Sequence, residues 1–152
     1  MTPEERLTEL GLKLPEVVPP LAAYVPAVRT GDYVYTSGQL PMVNGKLPAT
    51  GKVGAEVSPE EARELARICA LNALAAVKSV IGDLSGIVRI VKVLAFVASD
   101  PAFGGQPQVV NGASELLAEV LGDAGKHARS AVGVAVLPAN APIEIELIAE
   151  VR

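Results

Sequence analysis

The chain has 152 residues, 50% apolar, 20% charged and 3% aromatic, with a formal charge of −4 and a pI near 5.0. That length fits one domain, residues 1–152, around an aliphatic core of Val, Ile, Leu and Ala. An acidic balance with scattered Lys and Arg excludes the basic footprint of nucleic-acid binding, and the one cysteine, Cys69, excludes an intrachain disulfide and a Cys-based metal site.

No apolar run reaches the roughly 18 residues of a membrane span, and no signal-peptide pattern opens the chain, so the default address is the cytoplasm. A charged fraction below the usual quarter hints at surface hidden by self-association, the plain alternative being a compact monomer with Ala-rich helices.

Thr2-Pro3-Glu4-Glu5 predicts a helix start, with Thr2 as N-cap and Glu5 closing a capping box. Leu7 and Leu10 give the helix an apolar face, and Gly11 is its stop. Leu14 to Pro20 is Pro-rich and reads as an extended lead-in, so residues 1–20 form an appendage docked on the domain.

Ala23–Arg29 and Asp32–Ser37 flank Thr30-Gly31 and predict a hairpin, with Pro26 at an edge or bulge where its missing N–H is harmless. Gly38 to Pro41 ends the second strand, Asn44-Gly45 signals a tight turn, and Lys46 to Gly54 is loop or short strand. Ser58-Pro59-Glu60-Glu61 opens a helix over Pro59–Ile81, closed by Gly82, with a wide apolar stripe suited to lying on a sheet. Cys69, inside it, reads as a small buried hydrophobe.

Ile87–Ala98 is rich in β-branched residues and reads as a central strand. Asp100-Pro101 turns the chain into a second helix, Gln106 to Leu121, which Gly122 stops. Two apolar strands close the chain, joined by a turn at Leu137-Pro138. Arg129 stands at the entrance of the first, and Glu144 and Glu146 alternate along the second. The order ββαβαββ predicts an α+β fold, a mixed sheet with two helices packed on one face.

With one His and one Cys, classical zinc sites and Cys–His catalysis lack raw material, and neither G-x-S-x-G nor a Walker-type motif occurs. His127 reads either as a base or ligand beside Arg129 or as an exposed loop side chain. What remains is a set of polar groups at strand ends: Tyr24, Ser37 with Gly38, Asn111, Arg129 and Glu144. Each has a plain reading as edge aromatic, strand cap, helix surface or solvated strand. Together they support a small-molecule pocket in which Arg129 clamps a carboxylate with its planar fork and a nearby Glu handles a proton or a water.

Tyr33 to Pro41 (YVYTSGQLP), Val110-Asn111, Arg129-Ser130, Leu137-Pro138 and the Ile-Glu-Ile-Glu strand resemble the Rid proteins, the reactive imine/enamine deaminases once called YjgF. The resemblance runs from about Tyr24 to Arg152. It implies a chorismate-mutase-like α+β fold and a homotrimer with three equivalent pockets in the clefts between subunits. It also implies hydrolysis of 2-imino acids to 2-keto acids and ammonia, with no metal or organic cofactor. Arg129 matches the arginine that holds the substrate carboxylate, and Glu144 the acidic residue that positions water. Tyr24, Ser37, Gly38 and Asn111 match pocket-lining positions. So does Ala131, although many deaminases carry Cys there, which removes any thiol role. Lys126 and His127, on the approach to the arginine, and the N-terminal extension resemble a longer Rid-like subgroup. The alternatives are a trimer that binds small carboxylates without turnover or regulates through the same cleft, an RNA-cleaving enzyme, which the acidic charge disfavours, and a chorismate mutase.

Overall fold

Residues 1–17 and 23–152 are described by a computed structural model; Pro19 and Pro20 of the expected lead-in lie outside them. Helix α1 spans Pro3–Glu9, and its capping box is present: the Glu5 amide donates to Thr2 Oγ1 at 3.1 Å, and the Thr2 amide to Glu5 Oε2 at 2.8 Å. Leu7 is buried, whereas Leu10, expected on the same face, is 40% exposed. The helix docks where the next one ends: Glu4 accepts the Leu84 amide at 2.7 Å and stands 3.9 Å from Lys78 Nζ.

The hairpin strands are β1, Ala27–Thr30, and β2, Tyr33–Thr36. Strand β1 is shorter than expected, because pairing stops at Pro26, whose carbonyl accepts the Ser37 amide at 2.8 Å but which has no N–H to return. The connecting loop is Gly31-Asp32, one residue later than the sequence suggested, with Gly31 at φ +57°. Asn44 and Gly45 both take positive φ between Val43 and Lys46, which exchange backbone hydrogen bonds, as a tight turn requires.

Helix α2 covers Pro59–Ile81, with Ser58 accepting the Glu61 amide and Gly82 as C-cap at φ +85°. Helix α3 covers Gln106–Leu121. The two pack closely at Gly112, where an added Cβ would stand 3.0 Å from the Arg63 carbonyl carbon. Ion pairs of Arg63 with Glu115 and of Arg67 with Glu119 lace the same contact.

Strands β3 (Ile87–Ala98), β4 (Ala128–Val134) and β5 (Ile143–Val151) complete a five-stranded sheet in the order β1-β2-β5-β3-β4. Strands β3 and β4 are parallel, as a β–helix–β connection dictates, and the other pairs are antiparallel. This is the chorismate-mutase-like α+β fold, with the helices on one face. The last two strands, consecutive in sequence, are not neighbours, since β3 lies between them. Alternation along β5 sends Ile143, Ile145, Leu147, Ala149 and Val151 into the core and Glu144, Glu146 and Glu150 to the other face, which no helix among the described residues covers.

Candidate functional site

The sheet register decides where the charged candidates point. Arg129 is aligned with Val93 of β3, and Glu144 with Phe96. Val93 faces the core, and Phe96, an odd number of residues along, faces away. Arg129 therefore stands on the helix side and Glu144 on the open side, with β3 between them. The sequence placed a Glu near the Arg, but within one chain the two do not meet.

On the helix side, Arg129 is half-buried and bound to α3. Its Nη1 donates to Ser114 Oγ at 3.1 Å and its Nη2 to the Pro107 carbonyl at 3.2 Å. Among the described residues no carboxylate is within ion-pair distance of it, and it keeps further N–H groups beyond these two. Asn111 lies between Pro107 and Ser114 at helical spacing, so it shares the face along which the guanidinium lies. Ala131, two residues beyond Arg129, points to the same side and packs on the core.

On the open side, Glu144 lies against Gly38, where a Cβ would stand 2.8 Å from the Glu144 carboxyl carbon. Burial, then the neighbouring Glu146, raises the Glu144 pKa above its ordinary 4.5. Ser37 follows buried Thr36 and so falls on the open side; its hydroxyl donates to the Val25 carbonyl at 2.6 Å, tying Tyr24 and its neighbours to the end of β2. Tyr24 itself is 54% exposed. The candidates thus form two groups, Asn111, Arg129 and Ala131 on one side, and Ser37, Gly38 and Glu144 on the other, with Tyr24 exposed next to the Val25 carbonyl that Ser37 holds.

Sequence reasoning left two residues out of this picture. Ser114 links Arg129 to His127, whose Nε2 lies 2.9 Å from its hydroxyl. His127 is half-buried with both ring nitrogens bonded, which removes the reading of a loose loop side chain. Asn72, buried in α2, donates to the carbonyls of Leu40 and Met42 at 3.0 and 3.1 Å and so anchors the loop that follows Gly38. Its signal was a polar residue at a core position, three after Cys69 and seven after Leu65. Cys69 is fully buried, and burial raises its thiol pKa, which keeps it inert.

Among the described residues no group of His, Cys, Asp and Glu is placed to hold a metal, and no helix is long and apolar enough to cross a membrane. A family model described as "YjgF/chorismate mutase-like, putative endoribonuclease" matches residues 4–151. The chain is 41% identical over 147 residues to Protein TCP17 of Trypanosoma cruzi, spanning 96% of this chain and 92% of that one. A crystal structure of a protein of unknown function from Agrobacterium tumefaciens is similar with a TM-score of 0.93 and 50% identity, covering 99% of this chain and 92% of that one. The structure of E. coli TdcF with bound serine is similar with a TM-score of 0.68 and 28% identity, covering 90% and 94%.

Proposed function

The chain belongs to the YjgF/chorismate-mutase-like family, and on that footing we propose that it hydrolyses reactive 2-imino acids and their enamine tautomers to 2-keto acids and ammonia. The observation that carries this reading is the Arg129 guanidinium, anchored to α3, paired with no carboxylate among the described residues, and holding N–H groups in reserve for one from a substrate. The serine bound to E. coli TdcF, an amino acid with such a carboxylate, supports the substrate class.

The two groups of residues meet between copies, the open face of one chain closing on the Arg129 side of the next in a trimer with equivalent clefts. Exposed Val28, Tyr35 and Val132 on the open face support that burial. In the cleft, the oxygen of a water adds to the imine carbon while Glu144 takes one of its protons. That proton passes to the nitrogen to give the carbinolamine. Glu144 then takes the hydroxyl proton and delivers it to the nitrogen, the C–N bond breaks, ammonia leaves and the hydroxyl oxygen becomes the keto oxygen. A carboxylate with a raised pKa suits both transfers. An imine is already electrophilic, so holding the carboxylate and one water accounts for most of the effect.

The test is keto-acid and ammonia release from 2-imino acids generated in situ by an amino-acid oxidase. Wild type accelerates hydrolysis and Arg129→Ala does not. Should wild type accelerate none of a panel of small, branched and aromatic imino acids, the deaminase reading falls and the Arg129 cleft is a binding site. The same preparation is expected to leave RNA uncut, since the acidic charge and the scattered Lys and Arg argue against phosphate-backbone binding.

A further inference from the structure

Arg129 is one end of a chain of hydrogen bonds whose direction the chemistry dictates. His127 Nδ1 lies 2.6 Å from the Gly125 carbonyl, which can only accept, so Nδ1 carries the proton. In the neutral ring Nε2 is then a bare lone pair, and the Ser114 hydroxyl, 2.9 Å away, donates to it. That turns a lone pair of Ser114 Oγ towards Arg129 Nη1 at 3.1 Å. The backbone supports this order: Gly125 packs so closely on the Leu117 carbonyl that no side chain fits there, which fixes the acceptor for His127.

We propose that Ser114 and His127 are positioning residues that hold the Arg129 guanidinium for an incoming carboxylate, and that the hold requires a neutral His127. The proposal rests on the carboxylate-clamp reading of Arg129. Protonation would make Nε2 a donor, leaving Ser114 Oγ to accept from two cations and its own proton without the imidazole acceptor. The charged groups around His127 are Lys126 and Arg129 beside it in sequence, Asp123, which is paired with Lys126 at 3.0 Å, and Arg89 and Glu150, which with Tyr33 line a depression of about 510 Å³ on the open side. From α3, Glu115 is turned to Arg63. Burial holds the His127 pKa below its usual 6.5, against the pull of the Gly125 carbonyl, and the Arg129 charge lowers it further.

The experiment has a kinetic arm and a spectroscopic arm. With 2-imino acids as substrates, Ser114→Ala and His127→Gln raise KM about tenfold with kcat held within a few-fold, since a hydrogen bond to a charged group is lost. Ser114→Thr, which keeps the hydroxyl, restores KM. The fall of kcat/KM at acidic pH that follows His127 in wild type disappears in His127→Gln. Unchanged KM and pH profile in both variants overturn the proposal and leave the deaminase reading standing. Because His127 is the one histidine of the chain, its imidazole ¹⁵N resonances report directly and without substrate. They show the Nδ1–H tautomer in wild type and a shifted Nε2 in Ser114→Ala, while pyruvate, used as a carboxylate probe, binds about tenfold more weakly to that variant. An Nε2–H tautomer, or an Nε2 resonance indifferent to Ser114→Ala, also overturns it. If wild type turns over no imino acid while the tautomer and the pyruvate loss are as stated, the deaminase reading fails and the positioning role survives.

Discussion

Gly38 and the Glu144 side chain are in contact between β2 and β5, so close that a methyl group on Gly38 would stand 2.8 Å from the Glu144 carboxyl carbon. Gly38 is absent from the residues with positive φ, so its glycine is explained by this contact alone. Gly38→Ala pushes the carboxylate from its place, and a misplacement of that size lowers kcat by about 10- to 100-fold. The obstacle is the far end of a flexible side chain, so thermal unfolding shifts by less than about 3 °C. A large loss of stability with normal kcat would show that Gly38 serves the backbone instead.

Arg129→Ala and Glu144→Gln, each inactive alone, restore activity when mixed, denatured and refolded together. In the proposed trimer each cleft would draw its arginine from one copy and its glutamate from another, so about a quarter of the clefts in a random mixture would hold both intact groups. Activity of the mixture near that fraction of wild type is the expected result. A mixture as inactive as its parents would mean that both groups serve one cleft from one chain, against the register of β3.

The raised Glu144 pKa has a defined sign in stability. The native state holds this proton to higher pH than the unfolded chain, so the contribution is fully present below the ordinary 4.5 and is lost as pH rises through the folded value. At neutral pH Glu144→Gln is therefore more stable than wild type. Solvent screening at a half-exposed site keeps the gain near 0.5 kcal/mol, about 1–2 °C in Tm. Thermal melts from pH 3.5 to 8 check this, the difference between the two proteins shrinking towards zero at the acid end.

Asn72→Ala removes the side-chain donor from the Leu40 and Met42 carbonyls, of which Leu40's keeps the Met42 amide, and opens a small void in α2. The expected cost is about 2 kcal/mol, a fall in Tm of about 4–8 °C. Because the freed loop follows Gly38, kcat falls as well, and amide exchange over residues 38–43 speeds up more than in the rest of the sheet.

Local signals carried the elements well. Ser58 and Gly82 bound α2, the β-branched run from Ile87 to Ala98 is β3, and Asn44-Gly45 makes its turn, because caps, periodicity and turn residues act within a few positions of themselves. Pairing partners are set by contacts distant in sequence, and that is where the reading ran short. Nothing in the two closing strands says that β3 inserts between them, so the separation of Arg129 from Glu144 was hidden. Ser114 was hidden for the same reason: on α3 alone it is one more small polar residue, and its meaning appears when β4 brings Arg129 and His127 beside it.

The positions of β3 that mark Arg129 and Glu144, Val93 and Phe96, differ by an odd number, and parity is indifferent to side-chain size. Swapping one aliphatic for another along β3 leaves both groups where they are. Deleting or inserting a single residue between those positions reverses one of them and, in the same stroke, turns half of a core strand out to water. Arrangement of the proposed cleft and integrity of the core are thus written in one frame, so the frame tolerates substitution freely and length change hardly at all.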